Sequence, residues 1–198
     1  MDRLDWQVAG KHIAVLSELK FKDIEIYQIG MRAGVQQGPY LLAVEISGGE
    51  IKDGTAEDGD FQKEGPDRLY SKSISSVSGD DSMDLEISVG RRFDLKNGRY
   101  RLTPLLGGSR HRLHLFLTEG VQVLETPGQT PPLGPIEGMA STYEASWTGL
   151  FAGLNLLHRP GRRSEVFGAV RLHWLEYRAD GDWNLRKDLA HPVSFDHD

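Results

Sequence analysis

The segment at residues 100–123 (YRLTPLLGGSRHRLHLFLTEGVQV) constrains the fold most, because polar and apolar residues alternate along it. Basic side chains occupy one parity and leucines the other: Arg110, Arg112 and His114 against Leu113, Leu115 and Leu117. Successive side chains of a strand point to opposite faces, so this alternation predicts a strand with one charged and one apolar face. A packed core seldom accepts such a charged row, whereas the water-facing wall of a membrane barrel does.

Other segments also have strand-like patterns, and we find no convincing amphipathic helix. We predict seven strands, over residues 3–9, 15–35, 40–48, 82–93, 100–123, 142–158 and 165–183. The mixed parity within residues 15–35 indicates a bulge or a twist midway. Strands in this order predict an all-β fold, an antiparallel up-and-down meander.

The predicted connections differ in length between the two ends of the meander. Tight turns are expected at Gly38-Pro39, at residues 96–98 and at residues 159–162, where Gly, Asn and Pro favour turn conformations. Long polar or irregular loops are expected at residues 49–68 and 125–140. Short turns at one end and long loops at the other are typical of outer-membrane barrels.

Composition narrows the possible functions. The chain has 198 residues, no cysteine and a formal net charge of −6. We therefore predict one domain over residues 1–198, no disulfide or thiolate chemistry and no nucleic-acid partner. The sequence contains no apolar run long enough for a transmembrane helix, and its mean hydropathy of −0.42 is compatible with a membrane barrel, whose strands alternate.

The alternation alone fits two folds equally well. A soluble β-barrel or sandwich would have the apolar face inside, and a membrane barrel would have it outside. Three observations favour the membrane. Several predicted strands approach the length that a tilted spanning strand requires, and carboxylates such as Asp84 and Glu86 could face the arginines across a lumen. Aromatic residues near presumed strand ends could form an interface girdle: Tyr100, Tyr143, Trp147, Trp174, Tyr177 and Trp183.

Four segments resemble omptin-related outer-membrane β-barrels, most closely those of the Protochlamydia outer membrane protein type: LSELKFKDIEIYQIG, YRLTPLLGGSRHRLHLFLTEGVQV, STYEASWTGLFAGL and YRADGDWNLRKDLAHPVSFDH. The resemblance covers about residues 16–198. It implies a ten-stranded transmembrane barrel in the outer membrane of a Gram-negative bacterium, with the apolar faces outward. About seven of ten strands are present by this comparison, so we expect a chain truncated at both ends and lacking its signal peptide.

The resemblance also assigns the two faces of the segment at residues 100–123. Leu113, Leu115 and Leu117 are expected to face lipid. A polar network is expected to face the lumen: Asp84, Glu86, Arg110, Arg112, His114, Arg171 and His173. We interpret this network as ion pairs that fill a narrow barrel, since ten strands leave little open channel.

Omptins are proteases that combine an aspartate pair with an Asp–His pair. Asp58 and Asp60 match the first pair, although their acidic surroundings favour a solvated loop. Asp182 lies at the place of the second, with no histidine at the matching position. We therefore expect an outer-membrane protein without assignable catalytic activity. The alternatives are an aspartyl-type protease using these residues and a soluble binding module.

The sequence predicts neither a cofactor nor a metal site. His111 and His114 are three residues apart on a strand, so they point to opposite faces and make a poor metal pair. The expected partners are the lipid bilayer and, as a candidate, lipopolysaccharide.

Overall fold

The computed structural model describes residues 3–10, 13–61, 69–79, 81–161 and 163–197. In these ranges the chain forms one antiparallel sheet and no helix, so the predicted all-β antiparallel fold is confirmed. The strands are β1 Arg3–Gly10, β2 Ile13–Gln37, β3 Tyr40–Phe61, β4 Leu69–Val77, β5 Asp81–Arg91, β6 Phe93–Leu95, β7 Tyr100–Leu124, β8 Gly134–Pro135, β9 Ser141–Gly161, β10 Ser164–Asp182 and β11 Phe195–His197.

The long strands follow one another across the sheet in chain order. β1, β2 and β3 are neighbours, and β7, β9, β10 and β11 continue the sheet on the other side. β4 and β5 lie end to end between β3 and β7, so together they fill one position. The short β6 and β8 add pairings to β7. A helix long and apolar enough to span a membrane is not found in the described ranges.

Two tight turns define what we call the turn end of the sheet. β2 and β3 are joined by Gly38 and Pro39, with Gly38 at a φ of +58°. Lys96, Asn97 and Gly98 have φ values of +49°, +56° and +82°, which asparagine and glycine adopt at low cost. These two predicted turns are confirmed. In the third, β9 extends as far as Gly161, and Arg162 lies outside the described residues.

The prediction of a loop at residues 49–68 is wrong for most of its length. β3 continues to Phe61 and pairs first with β5 and then with β4, a strand that the sequence analysis did not predict. The period of two breaks here, because Ile51 and Gly54 are both buried although three residues apart. Because of this break and the acidic composition, the sequence pattern did not indicate that β3 continues beyond residue 48. Residues 62–68 lie outside the described residues.

The predicted bulge in β2 is confirmed. The pairing with β3 shifts between Lys22 and Ile26, and Asp23 has a φ of +52°. As a result Phe21 and Ile24 are both buried, although an uninterrupted strand would place them on opposite faces.

Near the turn end, one face of the sheet, here called the outer face, carries large apolar side chains that are exposed to solvent. One row of this face crosses five strand positions and carries Val44, Ile87, Leu150 and Trp174, with Gly108 at the position of β7. The same exposed band includes Tyr27, Ile29, Met31, Val35, Tyr40, Leu42, Ile46, Met83, Val89, Leu106, Leu154, Leu156, Val166, Val170 and Leu172. We call these residues the outer apolar band; the opposite, inner face at this level is mostly polar.

Toward the loop end, where residues 125–140 and 183–194 lie, the polarity of the two faces is reversed. The inner face carries the apolar core: Leu19, Phe21, Ile24, Ile51, Ala56, Val77, Leu113, Leu115, Leu117, Tyr143, Ala145 and Ala179. The outer face is charged here, and Glu57 on β3 pairs with Lys22 on β2 and with Lys72 on β4.

This reversal corrects the expectation that Leu113, Leu115 and Leu117 face lipid. Their side chains are 5%, 0% and 2% exposed and pack inside the core. The alternation along β7 was recognised, but these leucines lie beyond the outer apolar band, where the inner face is the apolar one.

The expected aromatic girdle is correct for only part of its members. Trp174 belongs to the outer apolar band, and Tyr100 stacks on His158 near the turn end. The other four aromatic residues are in or against the core: Tyr143, Trp147, Tyr177 and Trp183. The hydroxyl groups of Tyr143 and Tyr177 lie 2.6 Å apart, so the core contains one polar contact between aromatic side chains.

We predict that Leu115→Ala lowers the free energy of unfolding by about 2–5 kcal/mol, because it opens a cavity in the core of the loop end. Leu133→Ala is the matched control, since Leu133 is 59% exposed and its truncation should change stability by about 0.5 kcal/mol or less. Urea denaturation followed by tryptophan fluorescence measures both values. Equal losses in the two variants would contradict the packing described here.

Candidate functional site

A cluster of polar side chains occupies the inner face midway along β5, β7 and β10. Asp84 and Glu86 come from β5, Ser109 and His111 from β7, and Arg171 and His173 from β10. We call these six residues the inner polar cluster.

The side chains of β7 and β10 reach each other although β9 lies between the two strands. Gly149 on β9 pairs with Ser109 on one side and with Leu175 on the other, and a Cβ there would overlap the carbonyl oxygen of Trp174, so the glycine lets the backbone of β10 approach closely. The Ser109 Oγ atom consequently lies 3.2 Å from His173 Nδ1, and the rings of His111 and His173 lie 5.9 Å apart between centroids.

Hydrogen bonds fix the position of His111 through Asp84. His111 Nδ1 lies 2.9 Å from Asp84 Oδ1, so this carboxylate oxygen accepts a hydrogen bond from the ring nitrogen. The other oxygen, Oδ2, accepts hydrogen bonds from Gln28 Nε2 at 2.5 Å and from Ser47 Oγ at 2.9 Å. Asp84 is therefore anchored from three strand positions.

Arg171 provides the positive charge at the turn-end side of the cluster. Its guanidinium lies 3.3 Å from Glu86 Oε2 and 3.6 Å from Glu45 Oε2. It also lies over the ring of Phe151, 5.8 Å from the centroid. Two carboxylates thus share one arginine, which leaves the immediate surroundings rich in negative charge.

The structure brings together four of the seven residues that the sequence analysis placed in a lumen-facing network: Asp84, Glu86, Arg171 and His173. Arg110, Arg112 and His114 lie on the opposite face of β7, which corrects that part of the prediction. Arg112 Nη2 pairs at 2.8 Å with Asp81, and His114 lies 3.8 Å from the same carboxylate. The face was misassigned because the leucines of β7 were expected to face outward, which put the opposite parity inside. The leucines in fact face inward.

The sequence analysis did not select Ser109, nor did it select His111, the second histidine of the cluster. His111 shares its parity with the buried leucines, and only the pairing of β5, β7, β9 and β10 brings it to His173. Beside it lies a cavity of about 590 Å³, lined among others by Gln28, Asp84, Trp147 and Leu175. The cluster is therefore accessible to small solutes.

The second group of candidate residues lies near the loop end. Asp58 and Asp60 belong to β3 and not to a loop as expected, and both point to the inner face, opposite Ser73 and Ser71. Burial, followed by the charge of Asp60, raises the pKa of Asp58 to about 7, while a hydrogen bond from Ser17 and the nearby charge of Arg186 act in the opposite direction. Burial also raises the pKa of Asp60.

Asp182 has a histidine partner that the sequence analysis missed. The chain folds back after β10, so that His191 Nδ1 lies 2.5 Å from Asp182 Oδ1, and Ser194 Oγ donates to the same oxygen at 3.2 Å. His191 Nε2 lies 3.2 Å from the carbonyl oxygen of Arg186. Both ring nitrogens are thus engaged in holding the segment, and the hydrogen bond with Asp182 raises the pKa of His191. This arrangement fits a clamp better than a base that activates water.

The family model for Protochlamydia outer membrane protein matches the chain over residues 1–198. The chain belongs to this family. As the family's name states, it is an outer-membrane protein, which agrees with the exposed outer apolar band on an antiparallel sheet. No curated protein matches the sequence.

We predict that this outer-membrane protein becomes less stable as the pH rises from about 4 to about 7. Asp58 holds its proton more tightly in the folded state, with a pKa of about 7 against an ordinary value of 3.8, so folding is favoured at low pH and this contribution is lost as Asp58 ionises. Asp58→Asn should therefore unfold at a higher urea concentration than the wild type at pH 8, and at a similar concentration at pH 4.

Glu137→Gln is the control for this experiment, because Glu137 is an exposed carboxyl group at the same end of the sheet. Its urea midpoint should follow the wild type at both pH values. An Asp58→Asn variant that also follows the wild type at both pH values would contradict the burial of Asp58.

Proposed function

We propose that this chain forms the wall of a transmembrane β-barrel of the omptin type in the outer membrane of a Gram-negative bacterium. In this proposal the outer apolar band lies in the lipid and the loop end projects from the bilayer on the extracellular side. The observation that carries it is the reversal of polarity along the strands. A strand that crosses lipid needs an apolar outer face, and a strand that continues into water needs a polar one.

The dimensions of the band support this proposal. On β2 the outward apolar residues run from Tyr27 to Val35, and on β10 from Val166 to Trp174. Each run covers about nine residues, which is the length that a tilted strand needs to cross the hydrocarbon. β7 has 25 residues and β9 has 21, so the strands extend well beyond such a band.

The soluble alternative is difficult to reconcile with the same surface. Soluble monomers rarely expose a contiguous apolar patch larger than a few hundred Å². Here one row crosses five strand positions and carries an outward apolar side chain at four of them, Val44, Ile87, Leu150 and Trp174, and it continues into the rows above and below it. Lipid is the partner that covers such a surface completely.

Basic side chains lie on the outer face just beyond the band. Arg112 on β7 and Arg178 on β10 both pair with Ser146 on β9, so the two arginines lie in register on either side of it. At this level a membrane presents its phosphate groups, and arginine binds phosphate well. We propose that these residues contact lipid headgroups, including those of lipopolysaccharide. Protease activity is not part of this proposal, because His191 is engaged as a clamp.

We predict that Trp174 is quenched by lipids brominated in their acyl chains. A variant that keeps only Trp174, with phenylalanine at positions 6, 147 and 183, is reconstituted into vesicles and its fluorescence is measured. Trp174 is 59% exposed on the outer face and should be quenched strongly.

The matched control keeps only Trp147, which packs against the core at the loop end with its ring 5.4 Å from that of Tyr177. It should be quenched much less. Equal quenching of the two variants, or a monodisperse monomer in the absence of detergent, would contradict the proposed membrane wall.

A further inference from the structure

Three potential metal ligands converge in the inner polar cluster. Glu86, His111 and His173 each offer one ligand atom, and these atoms all lie within 4.8 Å of one another. The three side chains come from β5, β7 and β10, so the site exists only in the folded sheet. All three are partly buried, and His111 lines the cavity of about 590 Å³.

Each histidine ring is held through its Nδ1 atom. His111 Nδ1 is bound to Asp84, which is itself anchored by Gln28 and Ser47. His173 Nδ1 is bound to Ser109 Oγ. A metal-binding histidine commonly donates one ring nitrogen to a carboxylate or another oxygen, which orients the ring and leaves the other nitrogen for the metal. Both rings have this arrangement, with Nε2 as the available ligand atom.

Glu86 can serve as a ligand without losing its arginine. Its Oε1 atom lies 4.0 Å from His173 Nε2, whereas Oε2 is the atom that faces Arg171. Arg171 Nε is buried and has no aligned hydrogen bond, so the contact with Glu86 rests on charge and does not fix the carboxylate in place. Oε1 can therefore turn toward the histidines.

We propose that Glu86, His111 and His173 bind a divalent first-row transition metal, with Zn²⁺ as the best match. Two imidazoles and one carboxylate are a common zinc ligand set, completed by a water that the adjacent cavity can supply. In such a site each ligand atom lies about 2.0–2.2 Å from the metal, so the ligand atoms approach to about 3.5 Å. Side-chain rotations that move each ligand atom by about an ångström bring the three atoms to this separation.

The charges around the site favour a cation. Asp84, Glu86 and Glu45 are acidic, and Arg171 is the basic side chain that faces them, with Arg32 4.0 Å from Glu45 on the far side. The proposal depends on the pairing of the strands and not on the membrane, so it can fail or succeed independently of the proposed function.

The test is a titration of the full chain, free of any histidine tag and folded in detergent, with Co²⁺, whose visible absorption reports coordination by protein ligands. We expect an absorption band that saturates with one Co²⁺ per chain and disappears when Zn²⁺ is added. His111→Gln and His173→Gln should each abolish the band or weaken Co²⁺ binding by at least tenfold. Asp84→Asn should weaken it by about 10–100-fold, since it releases the ring of His111.

His114→Gln is the matched control, because His114 lies on the same strand as His111 but on the opposite face. It should bind Co²⁺ like the wild type. Far-UV circular dichroism verifies that each variant is folded, and Zn²⁺ should raise the unfolding temperature of the wild type and of His114→Gln only. A folded wild type without a Co²⁺ band at millimolar metal, or a band that survives both His111→Gln and His173→Gln, would overturn the proposal.

Discussion

The long strands of this protein, β2, β3, β7, β9 and β10, have 19–25 residues, and each of them must suit two environments along its length. Near the turn end the outer face is apolar and the inner face polar, and toward the loop end the two are exchanged. A strand exposes its faces in strict alternation, and the exchange is achieved by changing which parity carries the apolar residues. The core, the outer apolar band and the inner polar cluster all follow from this single constraint.

Local backbone irregularities help the exchange. The bulge at Asp23 and the shift near Gly54 change which parity of the strand faces inward, so that residues three apart can both be buried. Glu119, with a φ of +53°, marks a similar shift on β7. Glycine contributes on the inner face: at Gly107 the ring of Phe151 occupies the space that a Cβ would need, at 2.5 Å. The inner polar cluster lies at the level where the polar inner face of the turn end meets the apolar core of the loop end. The cavity lies beside it.

Much of this architecture could be predicted from the sequence, because alternation and turn residues are local signals. The antiparallel meander, the bulge in β2 and the turns at Gly38 and Gly98 are of this kind. The environment of a face is not local, which is why Leu115 was expected in lipid. The approach of His111 to His173 depends on register across β9, and that of His191 to Asp182 on a chain reversal. No spacing in the sequence encodes either approach.

The reversal of polarity can be measured directly on β10. The chain has no cysteine, so single cysteines for spin labels can be placed at the outward positions Val170, Leu172, Arg178 and Asp180. In lipid vesicles, labels at the first two should collide mainly with oxygen, which concentrates in the hydrocarbon. Labels at the last two should collide mainly with a water-soluble nickel complex. The same collision preference at all four positions would contradict the account of a strand that passes from lipid into water.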